Sequence, residues 1–216
     1  MLAKVKFCGM TRPQDAALAG EIGASYVGVI FARGPRTVST GHAREILDAA
    51  GPNVRRVGVF DTNDPGRVAE FAEDAELNVV QLHADPMPSD VEAIRRNFGG
   101  EIWATIRIAA SHIPHELDDL FDLADGVLLD AHLENQLGGT GKTLQWNELA
   151  VDLARDRGGA EVVLAGGLNP KNVAHAIRVL APDVVDVSSG IEQSPGIKDP
   201  WLMREFFEAA VGPRSR

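Results

Sequence analysis

Eight short apolar runs recur along this chain, and each is followed by a segment with the pattern of a helix. Successive runs begin roughly 20 to 36 residues apart, which suits one strand plus one crossover helix. Eight such units can close into a parallel barrel with the helices outside. The spacing therefore predicts an α/β fold, a (β/α)8 TIM barrel, as a single domain over residues 1–216. The predicted strands are Val5–Cys8, Tyr26–Phe31, Val54–Phe60, Val79–His83, Ile102–Ile108, Gly126–Asp130, Val162–Gly167 and Val184–Gly190.

Capping and turn residues mark where the helices between these strands begin and end. The pairs Thr11 with Gln14 and Ser89 with Glu92 are spaced as capping boxes, in which each side chain satisfies a free backbone N–H. Four prolines fall in predicted first turns, where a missing N–H costs nothing: Pro13, Pro65, Pro170 and Pro200. Three glycines fall where helices should stop: Gly23, Gly51 and Gly99.

The last two predicted strands each break into a glycine-containing turn. Bare glycine backbone and helix N-termini can approach an anion and present partial positive charge to it. In barrels of this type a phosphate site commonly follows strands seven and eight. The turns therefore predict a phosphate site, and with it a small phosphorylated substrate. Its predicted residues are Gly166, Gly167, Ser189 and Gly190.

Charge and composition exclude several classes of partner. The net charge of -10 argues against nucleic-acid binding, which draws most of its affinity from Lys and Arg neutralising phosphates. No apolar stretch is long enough to cross a bilayer and no secretory signal is visible, so we expect a cytoplasmic protein with no membrane contact. A lone cysteine excludes an internal disulfide framework.

Two ionisable side chains come directly at the ends of predicted strands, where barrel enzymes place their chemistry. Cys8 ends the first strand and Asp130 the sixth. Taken alone, Cys8 is more typical of a buried small hydrophobe, and Asp130 is equally typical of a loop residue that caps neighbouring N–H groups. As a thiolate, Cys8 could take a proton from a carbon beside an imine or carbonyl. A carboxyl in an apolar barrel mouth could donate one, so the pair predicts acid/base catalysis.

The segment at 138–143, GGTGKT, resembles a nucleotide-binding P-loop but lacks its first glycine, because Gln136 stands five positions before Gly141. A glycine-rich loop after the sixth strand is more typical of a lid that closes on substrate. Whether Lys142 or the 131–145 loop touches a ligand is left open.

A metal site is not indicated. His112 and His115 lie on a polar segment with no partner cysteine and no HExxH spacing. We expect both to face solvent.

Motifs spread over nearly the whole chain resemble the phosphoribosylanthranilate isomerase family. They occur in one order and are far more specific together than any one alone. They are KFCGMTRPQDA at 6–16, YVGVIF at 26–31, GPRTVS at 34–39, VGVF at 57–60, VVQLHAD at 79–85, LLDA at 128–131, GGTGKTLQW at 138–146, LAGGLNPKNV at 164–173, DVSSGIE at 186–192 and PGIKD at 195–199.

The resemblance implies a (β/α)8 barrel that carries out an Amadori rearrangement of an aminoaldose phosphate without any cofactor. On the family pattern, Asp130 is the general acid that protonates the furanose ring oxygen. Cys8 is the general base that removes the proton from the sugar C2. The substrate would be a small phosphosugar, and the protein a monomer or a homodimer.

The resemblance also implies substrate contacts outside the catalytic pair. Arg36 matches the arginine that holds the anthranilate carboxylate, although unaided it is typical of a solvated surface residue. The family usually has serine where this chain has Gly34, so that hydroxyl is missing. Three further residues are candidates for the pocket lining, near a loop where Ala84 stands in place of the usual glycine: Gln81, His83 and Asp186. Taken alone, His83 is more typical of a hydrogen-bonded core histidine.

Two alternatives stay open. Related phosphosugar enzymes differ at the base: the histidine-pathway isomerase has an aspartate where this chain has Cys8, and indole-glycerol-phosphate synthase uses a lysine and a glutamate. A non-catalytic phosphate-binding module would not need Cys8 and Asp130 together. The presence of both residues favours the isomerase over either.

Overall fold

The computed structural model describes residues 3–108, 113–131, 149–150, 153 and 158–212. Eight parallel strands form a closed barrel in chain order, and β1 pairs with β8 from Lys4 opposite Val184 to Phe7 opposite Val187. The eight predicted strands are thereby confirmed, with ends that differ by at most three residues. The strands are β1 (Lys4–Phe7), β2 (Tyr26–Ile30), β3 (Arg55–Phe60), β4 (Val79–Leu82), β5 (Glu101–Ile108), β6 (Gly126–Ala131), β7 (Glu161–Ala165) and β8 (Val184–Val187).

Helices surround this barrel. Within the described ranges they are α1 (Pro13–Ile22), α2 (Thr40–Ala49), α3 (Pro65–Asp74), α4 (Pro88–Arg95), α5 (Leu120–Leu123), α6 (Val173–Leu180) and α7 (Pro200–Val211). Single 3-10 turns lie at His115–Leu117 and Ser189–Ile191, and a hairpin of β9 (Glu192–Ser194) and β10 (Ile197–Lys198) follows β8. None of the helices in this described part could span a bilayer.

Proline starts three helices as predicted. Pro13, Pro65 and Pro200 are the first residues of α1, α3 and α7. The residue before the proline supplies the cap in two cases: Asp64 accepts from the N–H of Arg67 at 2.7 Å, and Asp199 caps α7 in the same way. The prediction for Pro170 is wrong, because a separate turn follows it and α6 begins only at Val173.

Both predicted capping boxes are wrong. The residue that caps α1 is Arg12, and the Thr11 hydroxyl instead donates to the carbonyl of Gly196 at 2.5 Å. Helix α4 begins at Pro88, so Ser89 lies inside its first turn. There the Asp90 carboxylate accepts from the N–H of Met87 at 2.8 Å. Helix α1 therefore begins without a side-chain cap, and in α4 the first turn is closed by Asp90 and not by Ser89.

Glycine ends two helices as predicted. Gly23 closes α1 in the left-handed conformation, with φ of 103°, and Gly51 follows the cap of α2 with φ of 88°. The prediction for Gly99 is wrong, because α4 ends at Arg95 and Gly99 lies beyond the turn that follows.

Two clusters of buried apolar residues form the core. The larger lies between the barrel and its helices. The smaller fills the inside of the barrel, where the Tyr26 and Trp103 rings meet edge to face with centroids 4.9 Å apart. A polar layer of Lys6, Gln81 and Asp186 is buried above these rings. The filled interior leaves the C-terminal ends of the strands as the place for a site.

Candidate active site

A cavity of about 380 Å³ lies at the C-terminal ends of the strands. Eight of the ten predicted site residues line it: Cys8, Gln81, His83, Asp130, Gly166, Gly167, Asp186 and Ser189. A larger groove of about 950 Å³ lies on the outer surface against α1 and α7 and contains no predicted site residue. The convergence of residues from five strands makes the smaller cavity the candidate site.

Cys8 extends β1 into this cavity. Its N–H donates to the carbonyl of Val187 at 2.9 Å, which continues the ladder between β1 and β8 and holds the thiol near Gly28. The side chain is only 5% exposed. Burial raises the pKa of the thiol and the negative charge of Asp186 adds to the rise, while the positive charges of Lys6 and Lys198 oppose it. The resting group is therefore a thiol, in a position from which a thiolate would be stabilised by two cations.

Asp130 faces the same cavity from β6, three strands around the barrel from β1. Its side chain is 15% exposed, and one carboxylate oxygen, Oδ2, lies 3.7 Å from Nε2 of His83. Burial lowers the pKa of His83, and the negative charge of Asp130 only partly offsets this. The imidazole is therefore neutral at pH 7.

A buried lysine that sequence analysis missed connects the polar groups of the cavity floor. Lys6 donates to Asp186 Oδ2 at 2.8 Å and to Gln81 Oε1 at 2.7 Å, and it is fully buried. Burial alone would lower the pKa of its ammonium, but Asp186 and Cys8 hold it above the ordinary value. A signal existed, because Lys6 lies two residues before Cys8 and therefore points to the same side of the strand.

One oxygen of Asp186 lacks a partner. Oδ2 is bound to Lys6, but Oδ1 is buried and accepts no hydrogen bond within the described residues. A buried carboxylate oxygen without a donor is costly, and Asp186 lines the cavity. A hydroxyl of a bound ligand would satisfy it.

Arg36 does not line the cavity. It lies beside Gly9, next to Cys8, and its Nε and Nη2 donate to the two oxygens of Glu192 at 2.8 and 2.6 Å. Glu192 also accepts from Nζ of Lys198 at 2.9 Å. Although burial opposes it, these bonds lower the pKa of Glu192 to about 2. Neither Glu192 nor Lys198 was predicted from the sequence as a site residue.

The two predicted phosphate loops lie in contact. Gly166 and Gly167 adopt left-handed conformations with φ of 91° and 62°. Among the described residues, the N–H groups of Gly167 and Ser189 have no protein acceptor. Gly190 does not line the cavity, and a Cβ there would lie 1.9 Å from the carbonyl oxygen of Leu168. The site thus offers an anion free backbone donors.

Some predicted features lie outside the described residues, namely the 138–143 segment with Lys142, and His112. His115 is exposed, as predicted, and contacts Asp118 at 3.1 Å. Within the described ranges, no three His, Cys, Asp or Glu side chains are grouped to hold a metal ion.

Known proteins resemble this chain over nearly its whole length. A family model described as N-(5'phosphoribosyl)anthranilate (PRA) isomerase matches residues 5–209. The isomerase of Rubrobacter xylanophilus is 43% identical over 210 residues, covering 97% of this chain and 99% of that protein. That of Acidithiobacillus ferrooxidans is 38% identical over 212 residues, 98% of each.

Solved structures agree as well. Phosphoribosyl anthranilate isomerase from Thermotoga maritima superposes with a TM-score of 0.83 at 34% identity, covering 97% of this chain and 98% of that one. An isomerase in complex with reduced 1-(O-carboxyphenylamino)-1-deoxyribulose 5-phosphate superposes with a TM-score of 0.81 at 32% identity and the same coverage.

Proposed function

The chain belongs to the N-(5'-phosphoribosyl)anthranilate isomerase family, and on that premise we propose that Cys8 and Asp130 divide the proton transfers of its reaction. The protein is an isomerase of tryptophan biosynthesis. It converts N-(5'-phosphoribosyl)anthranilate into 1-(2-carboxyphenylamino)-1-deoxyribulose 5-phosphate by an Amadori rearrangement.

The observation that carries the assignment is the position of two unlike proton-handling groups on one cavity. Asp130 reaches it from β6 and Cys8 from β1. Ring opening needs a proton donor at the furanose oxygen, whereas C–H abstraction needs an acceptor at C2. A carboxyl and a thiol on different strands meet these needs at different atoms of one bound sugar.

The reaction then proceeds in balanced steps. Asp130 gives its proton to the ring oxygen, the bond from C1 to that oxygen breaks, and the anthranilate nitrogen supplies the electron pair of a C1=N bond. The thiolate of Cys8 removes the proton from C2, the electron pair of that C–H bond forms the C1=C2 bond of an enolamine, and the electron pair of the C1=N bond returns to the anthranilate nitrogen. A proton added at C1 and one lost from the C2 hydroxyl give the ketone. The cationic side chain of Lys6 favours the thiolate that the second step requires.

Three further contacts complete the proposed site. Arg36 lies at the rim with guanidinium N–H groups left over for the anthranilate carboxylate. The open Oδ1 of Asp186 would accept from a sugar hydroxyl. The phosphate would lie against the backbone of the loops containing Gly167 and Ser189.

The test follows anthranilate-ring fluorescence while purified protein meets phosphoribosylanthranilate. Cys8→Ala and Asp130→Asn should each lower kcat by about 10² to 10⁴, the usual effect of a positioned base or acid. The control is Asp48→Asn, which makes the same chemical change on the exposed face of α2. Full turnover by Cys8→Ala would remove the base assignment, and full turnover by Asp130→Asn the acid assignment.

Two broader expectations stay predictions. The chain is expected to act as a monomer or a homodimer, and one relative, the isomerase of Thermotoga maritima, is described as dimeric. Sedimentation velocity at micromolar concentration distinguishes the two states. A cytoplasmic location is likewise a prediction.

A further inference from the structure

We propose that Gln81 is a positioning residue for the general acid: held by Lys6, it fixes the tautomer of His83 so that the ring presents an N–H to Asp130. The proposal rests on the proposed role of Asp130 as the acid. It assigns Gln81 to the preparation of the acid, in place of the substrate contact that the resemblance implies.

Lys6 sets the orientation of the Gln81 amide. Nζ of Lys6 lies 2.7 Å from Oε1, and an ammonium has only hydrogens to offer. The reversed amide would place its NH₂ group against that ammonium, two donors facing each other. Lys6 is itself fixed, because Asp186 accepts from it at 2.8 Å and it is fully buried. The fixed ammonium of Lys6 therefore determines which end of the Gln81 amide is the oxygen.

The orientation of the Gln81 amide in turn fixes which ring nitrogen of His83 carries the hydrogen. Nε2 of Gln81 lies 3.4 Å from Nδ1 of the imidazole and can only donate. Nδ1 must then be the bare nitrogen, and a neutral imidazole with a bare Nδ1 carries its hydrogen on Nε2. The Thr105 hydroxyl also lies 3.2 Å from Nδ1. A hydroxyl rotates to donate or accept, so Thr105 follows the tautomer that Gln81 sets.

This tautomer determines which group of His83 faces the Asp130 carboxylate. Nε2 of His83 lies 3.7 Å from Oδ2 of Asp130, longer than a hydrogen bond in the unliganded site. Such contacts commonly tighten when substrate binds. An N–H at this position stabilises the carboxylate that remains after Asp130 has protonated the ring oxygen. The other tautomer would offer a lone pair, which would hold the acid's proton away from the substrate.

The direct test is nitrogen-15 NMR of His83 at pH 7.5, which distinguishes a bare ring nitrogen from a protonated one. The wild type should show a bare Nδ1 and a protonated Nε2. Gln81→Glu keeps the acceptor for Lys6 but replaces the donor facing His83 with an acceptor, so Nδ1 should become protonated. Thr105→Val is the matched control, because it removes the other contact of Nδ1 and should leave that nitrogen bare.

Kinetics test the link to Asp130. Gln81→Met, similar in size but without a donor, should lower kcat by about two- to tenfold, the effect of one hydrogen bond, with KM nearly unchanged. In an Asp130→Asn background the same substitution should have no further effect, because the two residues act as one unit.

The outcomes separate this proposal from the one on which it rests. A protonated Nδ1 in the wild type, or a bare Nδ1 in Gln81→Glu, overturns the tautomer argument whatever the acid is. A rise in KM without loss of kcat in Gln81→Met would make Gln81 a substrate-binding residue. Full activity of Asp130→Asn would instead remove the acid assignment, while the NMR result would still report the tautomer.

Discussion

Arg36 and Glu192 form a two-pronged ion pair at the rim of the barrel, with Nη2–Oε2 at 2.6 Å and Nε–Oε1 at 2.8 Å. One edge of the guanidinium is thus committed to the protein, while the other edge still carries N–H groups. Glu192 is only 5% exposed and also holds Lys198, so it is a fixed anchor. The ion pair therefore fixes the orientation of the guanidinium N–H groups of Arg36 that Glu192 does not bind.

We expect Arg36→Ala to raise KM by about ten- to a hundredfold, because the substrate carboxylate loses charge-assisted bonds, while kcat changes little. Glu192→Gln should raise KM less, since the guanidinium remains but loses its charged anchor. Steady-state kinetics measure both. Arg33→Ala, in the same loop, is the control and should keep the wild-type KM. An unchanged KM in Arg36→Ala would remove the carboxylate contact.

The same pair predicts a pH effect on stability. The folded-state pKa of Glu192 is about 2 against an ordinary value of 4.5, so the stability it contributes is present above pH 4.5 and is lost as the pH falls through about 2. The contribution is at most about 3 kcal/mol. Urea unfolding should therefore show wild type and Glu192→Gln converging between pH 5 and pH 2. A constant difference over that range would contradict the shift.

Activity should rise with pH through the alkaline range. Burial places the pKa of Cys8 above its ordinary value of 9.0, so the thiolate fraction grows as the pH increases toward it. Plots of kcat/KM from pH 6 to pH 10, which report the free enzyme, measure this. Cys8→Asp supplies a base that is ionised at much lower pH and should flatten the rise. A rise of equal slope in that variant would assign it to another group.

Replacement of the buried Lys6 should lower the free energy of unfolding. Lys6→Met leaves Asp186 buried without its cation, which typically destabilises a protein by about 3 to 5 kcal/mol. The matched control is Lys4→Met, whose ion pair with Glu161 is half exposed and should contribute no more than about 1 kcal/mol. The free energy of unfolding in urea compares them. Equal losses of unfolding free energy in the two variants would contradict the larger contribution expected of the buried pair.

Contact between the phosphate loops should make Gly190 intolerant of any side chain. In Gly190→Ala the new Cβ would collide with the backbone of Leu168, so a loop must move, at a cost of about 1 to 3 kcal/mol. Inhibition by inorganic phosphate should weaken as well. Gly41→Ala, where a Cβ meets open space, is the control. Wild-type phosphate inhibition in Gly190→Ala would exclude a role for this contact in the anion site.

The strands could be predicted because each is buried and apolar, and their number and spacing left few ways to fold. The convergence of Cys8 and Asp130 followed from the same reasoning, since parallel strands in a closed barrel end on one rim. Helix starts were less predictable. Thr11 and Ser89 had the spacing of caps, but the Thr11 hydroxyl donates to the distant carbonyl of Gly196, and α4 begins at Pro88, one residue before Ser89. Spacing alone reveals neither the distant partner nor the earlier start.

Lys6 and Glu192 escaped prediction for a different reason. Charged residues are ordinarily predicted to be exposed, because burying a charge is costly unless a group of opposite charge lies beside it. For these two residues that group is distant in the sequence. Lys6 meets Asp186 across the join between β1 and β8, and Glu192 meets Arg36 from a hairpin after β8. The position of Lys6 two residues before Cys8 indicated which side of β1 it shares with the thiol, but neither Asp186 nor Arg36 is identified as a partner by anything local in the sequence.

The Tyr26 and Trp103 rings that fill the barrel also support its charged layer, because Nζ of Lys6 lies 5.8 Å from the centroid of the Trp103 ring. A substitution that shrinks Trp103 would therefore loosen the ammonium that holds Gln81 and Asp186. Repacking of the barrel interior and tuning of the groups at its mouth are thus coupled, and a change in one must be accommodated by the other.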